Sequence, residues 1–157
     1  MKEIFLKIQQ QLTSAVTYLK YIDKDWGQLS YEPSPVKYPA ALIDVDSVDY
    51  TQLAKGWQKA VANIIITVAD VNLVRSSAMA PNKNDSYATL QLIEDIHQAL
   101  QLFGDTTFQP LERIKLRKVF SDKGVEIYTM IYRTAFVVKK KETGATAVTV
   151  SPRVTSE

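Results

Sequence analysis

The stretch Val125-Glu126-Ile127-Tyr128-Thr129-Met130-Ile131-Tyr132-Arg133-Thr134-Ala135-Phe136-Val137-Val138 decides the fold class of this chain. Its β-branched and aromatic content marks a strand, whose side chains alternate between two faces. One face carries Val125, Ile127, Thr129, Ile131, Arg133, Ala135 and Val137. The other carries Glu126, Tyr128, Met130, Tyr132, Thr134 and Phe136. Both are largely apolar, whereas a sheet with helices on one side alternates apolar inward and polar outward.

Just upstream, Ser121-Asp122-Lys123-Gly124 is a turn of hairpin length that joins this strand to Glu112 to Phe120. Two further runs read as strands: Ala40 to Val45, and Lys59 to Asp70 with its Ile64-Ile65-Ile66 centre. Asp46 to Gly56 between them is a polar link or an extended hairpin. At the N-terminus, Ile4, Ile8, Leu12, Ala15, Val16 and Leu19 recur every three or four residues, which predicts a helix from Lys2 to Tyr21. A second stripe (Tyr87, Leu90, Ile93, Ile96, Leu100, Phe103) follows the cap candidates Asn84-Asp85-Ser86 and ends at Gly104, where a helix-terminating glycine belongs. Tyr31 to Pro39, punctuated by three prolines, and Val71 to Lys83 are connectors.

The order helix, two strands, helix, two strands predicts one α+β domain over residues 1–138. Its sheet is mainly antiparallel and four-stranded, with two helices packed on one face. After Lys139 the composition shifts to Lys, Thr, Ser, Gly and Ala, which predicts a flexible tail over 139–157.

The bulk numbers narrow the function classes. The chain has 157 residues, 46% hydrophobic and 23% charged, which suits one globular domain. It has no cysteine, which excludes disulfides, thiolate nucleophiles and the common structural zinc sites. No stretch approaches the roughly 18 apolar residues of a membrane span. Met1-Lys2-Glu3 does not read as a secretory signal, so synthesis and folding in the cytoplasm are expected. Residues 1–110 hold 9 Lys/Arg against 12 Asp/Glu, a net −3, while residues 111–157 hold 10 against 5, a net +5. The whole-chain balance of +2 is too mild for a dedicated nucleic-acid binder.

Constellations that carry chemistry fail one by one. Asp44, Asp46 and Asp49 do not make a calcium loop, because Asp49 and Lys55 stand where glycine and glutamate are needed. His97 is the single histidine, so zinc binding has no second ligand of that kind, and no G-x-S-x-G motif offers a nucleophile. Walker and G-x-G-x-x-G phosphate loops are missing too. Catalytic, metal and cofactor-binding residues are therefore expected to be none. Trp26 and Trp57 read either as lids over the core or as interface anchors.

Two helices cover one face of a four-stranded sheet and leave the other bare. The aromatic face, with Tyr128, Met130, Tyr132 and Phe136, is expected to be the bare one and a subunit interface, since Tyr, Phe and Met are enriched there. The alternative is that the two connectors fold over the second face. Arg113, Lys115 and Arg117, alternating with Ile114 and Leu116, read as one basic strand face. That face is either a solvated, edge-protecting surface or a contact for an acidic neighbour or passing nucleic acid.

This layout resembles the bacteriophage tail terminator (tail completion) proteins and their prophage relatives. The resemblance lies in the N-terminal amphipathic helix, in Tyr38-Pro39-Ala40-Ala41-Leu42-Ile43 and in Ile64-Ile65-Ile66-Thr67-Val68. It extends to the Ile93, Ile96, Leu100 helix closing at Phe103-Gly104, and to Phe108 and Leu111-Glu112-Arg113 leading into the last hairpin. It spans residues 1–138. It implies a virion structural protein of the tail or neck, made in the bacterial cytoplasm. Copies would form a homohexameric ring that caps the tail tube, stops polymerisation and takes part in head–tail joining. The implied partners are its own copies, the tail tube protein, a head-completion or neck protein, and passing DNA without sequence specificity. Arg75, in the Val71 to Lys83 loop, joins the strand residues above as a candidate contact. Rival readings are another head–tail connector or tail subunit, or a small nucleic-acid-binding module, which would need aromatics on the basic face where Arg113, Lys115 and Arg117 have none between them.

Overall fold

In the computed structural model, which describes residues 1–54, 56–73, 79–119 and 124–139, the N-terminal stripe forms helix α1, Lys2–Ala15, with Ile4, Ile8 and Leu12 buried. The expected continuation to Tyr21 does not form. Thr13 and Ser14 turn their hydroxyls back onto the carbonyls of Gln9 and Gln10, and β-branched Val16 leaves the helix at φ −121°. Both features weaken a helix end. Val16 and Leu19 still reach the core from the irregular segment that follows.

That segment leads into strand β1, Tyr21–Lys24, which pairs parallel to β2, Ala40–Ala54. The remaining strands are β3, Trp57–Val71, β4, Glu112–Val119, and β5, Val125–Lys139. They pair antiparallel, and the sheet order is β1-β2-β3-β5-β4. The fold is α+β and mainly antiparallel, with five strands where the hydrophobic pattern predicts four. Asp46 to Gly56 is an extended hairpin and not a link, so β2 and β3 each run 15 residues.

Helix α2, Ala88–Leu100, follows a short 3-10 turn, Lys83–Tyr87. Its buried side is Thr89, Leu92, Ile93, Ile96 and Leu100, while Tyr87 and Leu90 are exposed. Asn84, Asp85 and Ser86 lie inside the turn, the N-cap position falls to Tyr87, which makes no side-chain cap, and the left-handed residue beyond the helix is Leu102, φ 60°, not Gly104. Gly104 serves another purpose. A Cβ there would lie 2.7 Å from the Pro110 nitrogen, where the chain doubles back toward β4.

Both helices lie on one face of the sheet, as expected. The register places cross-strand rows such as Ile43–Ile66–Met130 and Val45–Ile64–Tyr132 on that face, in one core with Ile8, Leu12, Leu92, Ile93 and Ile96. Burying each such aliphatic side chain contributes about 1.5–3 kcal/mol. Of the tail expected over 139–157, Lys139 closes β5 and the rest lies outside the described residues, as do Ser121 to Lys123 of the last turn.

Candidate assembly surface

The register assigns the two faces of β5 differently from the sequence expectation. Met130 and Tyr132 are fully buried under the helices, and Tyr128 and Phe136 pack against the same core. The aromatic face is therefore the helix-facing one and not a bare interface. Its side chains pack against the Ile and Leu residues of α1 and α2, as close interior packing requires. Tyr132 keeps a polar partner there, its hydroxyl 3.2 Å from His97 Nδ1. Burial pushes the Tyr132 hydroxyl well above the usual phenol range. His97 is lowered, first by burial and then by the Arg113 charge, against an opposing effect of Glu94.

The opposite face is half covered. Tyr31, Pro33 and Tyr38 of the proline-rich connector, with Leu29 just before it, line a cavity with Val125 and Ile127, and Ala40, Leu42 and Ala69 on that face are fully buried. The connector alternative thus holds for one end of the sheet. Toward the other end Val61, Asn63, Ile65 and Ile131 remain half-buried, with exposed Arg133 beside them.

The basic strand face is split by a β-bulge. The register of β4 against β5 shifts between Arg113 and Lys115, leaving Ile114 as the extra residue. Arg113 consequently lies on the helix side, opposite Tyr132 and 3.7 Å from Glu94. Lys115 and Arg117 lie on the open face, opposite Ile131 and Thr129. Strict alternation could not reveal this, because one inserted residue inverts every position before it. Lys118 pairs with Glu126 at 3.0 Å and sits over the Tyr128 ring. Arg75 lies outside the described residues.

A second surface escaped the sequence reading. Beyond Val48 the strands β2, β3 and β5 outrun the helices and form a tongue, along which Asp49 to Ala54 are exposed on both faces. Tyr50, Leu53, Trp57 and Val137 on it are between 42% and 55% exposed. An open groove of about 860 Å³ runs from the tongue to Met1, Ile4 and the Asp105–Gln109 loop. The wall of that loop is fixed by the ion pair of Asp105 with Lys7, which holds the Asp105 carboxyl far below its usual range, helped by Thr107. Neither tryptophan is a lid. Trp57 opens β3 beneath the Lys139 ammonium, 5.2 Å from its ring, and Trp26 stands edge-on to Tyr31. The signal for the tongue was the apolar series Val48, Tyr50, Leu53, Trp57 carried through the presumed link.

No protein-family model matches the chain, and no curated protein matches it. Among solved structures, the chain is similar to one in the virion of the native gene transfer agent (GTA) particle. The match has a TM-score of 0.48 at 12% identity, over 83% of this chain and 92% of that one.

Proposed function

We propose that the protein is a subunit of a tail terminator (tail completion) ring in a bacteriophage or prophage. In that role it caps the tail tube, stops its polymerisation and joins the tail to the head and neck, acting by assembly with no catalytic step. The observation that carries this reading is the tongue. A strand pair that continues past its helical layer with Tyr50, Leu53 and Trp57 about half exposed has apolar area that no described residue covers, the kind of area a partner covers. The half-bare second face of the sheet adds to it, and the resemblance of residues 1–138 supplies the kind of assembly.

The test is electron microscopy of particles from a strain lacking this gene, complemented with the wild-type gene or with Leu53→Ser/Trp57→Ser. Headless tails of abnormal and variable length, rescued by the wild type alone, are expected. Tails of normal length attached to heads would remove the terminator role.

A further inference from the structure

Two rows of cross-strand partners cross the open face, the first over all five strands and the second from β2 to β4. One is Asp23–Leu42–Thr67–Thr129–Arg117 and the other is Asp44–Ile65–Ile131–Lys115. Each begins with a carboxylate at the β1–β2 edge and ends with a cation at the β4 edge. The rows are two residues apart along the strands, so Lys115 and Arg117 lie roughly 7 Å apart on β4, and Asp23 and Asp44, on neighbouring strands, roughly 8 Å apart. Asp46 and Asp49 continue the acidic edge along β2, past the end of β1.

Among the described residues no ion pair takes up these charges. Ion pairs among the described residues include Lys7 with Glu3 and Asp105, Arg113 with Glu94, and Lys118 with Glu126. Lys115, Arg117, Asp23 and Asp44 take no part in them. Asp23 accepts only local hydrogen bonds, from the Tyr21 hydroxyl and the Lys24 amide. Of the nearby opposite charges, Lys24 is in register with Ile43 on the helix side, while Glu112, opposite Arg133, lies on the open face one row beyond Lys115 and forms no ion pair with it. Both edges also carry outward backbone groups that no strand among the described residues pairs, the usual template for another chain.

We propose that these two edges are each other's partners: the β4 edge of one copy docks on the β1–β2 edge of the next, with Lys115 and Arg117 facing Asp44 and Asp23. The inference rests on the ring reading and names its subunit contact. Because the two surfaces differ, the contact is head-to-tail, and it closes into a ring when the rotation per step divides a full turn. Like edges repel, so the charges also select this orientation over a back-to-back pair.

Sedimentation of the full chain over a concentration series tests the contact. Lys115→Glu/Arg117→Glu and Asp23→Lys/Asp44→Lys should each weaken self-association by about tenfold or more, as separating close charge pairs does. An equimolar mixture of the two variants, and the fourfold reversal, should restore it. The proposal is overturned by an unaffected double variant, by a fourfold reversal as weak as the doubles, or by a wild type that stays monomeric throughout. Should a reversal fail to fold, the absence of native cysteine allows a second assay. Oxidised Asp23→Cys/Arg117→Cys should give a ladder of covalent multimers where each single variant stops at dimers, and no ladder rejects the contact. Tail lengths in the gene-deletion strain report on the terminator role independently, so either idea can fail while the other survives.

Discussion

His97 and Tyr132 meet through a hydrogen bond at the boundary between α2 and the sheet, and each is held toward its uncharged form by burial. For His97 the folded pKa lies below the ordinary 6.5, so in the window between the two values the unfolded chain binds a proton that the folded chain does not. Stability therefore rises with pH through that window and is lost as pH falls below 6.5. Because His97 is the single histidine, its imidazole proton resonance should titrate with one midpoint below 6.5, and a midpoint at or above that value rejects the account. His97→Gln should flatten the melting temperature over the same interval. The same neighbourhood separates core from surface. Met130→Ala or Tyr132→Ala should cost about 2–5 kcal/mol in the isolated subunit. Leu53→Ser or Trp57→Ser should stay within about 0.5 kcal/mol of wild type by denaturant unfolding. A Tyr132→Ala protein that melted normally but failed to assemble would return the aromatic face to the subunit contact. The two apolar faces of β5 were legible in the residues, but which one the helices cover was not, since both are hydrophobic enough to serve.

Helices α1 and α2 and strands β3 and β5 announced themselves through sustained periodicity, the strongest signal a sequence carries. Strand β1 did not, because four residues paired parallel to β2 hold too little pattern to stand out from a connector. The bulge at Ile114 was hidden for a different reason: it inserts a residue without changing composition. The tongue belongs to this scale as well. Replacing residues 51–59 with Asn-Gly, a turn suited to a two-residue hairpin, removes strand that the helices do not cover. The trimmed subunit should keep its melting temperature to within about 4 °C, the shift that roughly 1 kcal/mol produces in a domain of this size. It should nevertheless fail to rescue the gene-deletion strain. Loss of folding on trimming would mean that the tongue is part of the core and not an appendage to it.

Across the molecule, the chain-order charge split becomes a spatial one. The acidic β1–β2 region and the basic β4 stand at opposite edges because β3 and β5 lie between them. Association through those edges should weaken as NaCl rises from about 0.1 M to about 1 M, over which the screening length falls from ~10 to ~3 Å. Salt-independent association would point to the apolar tongue as the dominant contact. The amino-acid sequence by itself determined the α+β class, both helices, the last hairpin and the uneven charge, since periodicity and composition are local properties. Only the tertiary structure decided that Tyr128, Met130, Tyr132 and Phe136 face the helices and that Arg113 parts from Lys115 and Arg117. It also decided that Asp23 and Asp44 share rows with Arg117 and Lys115. Each of these depends on strand order and register, which couple residues up to about a hundred positions apart and are set by the packing of the whole domain.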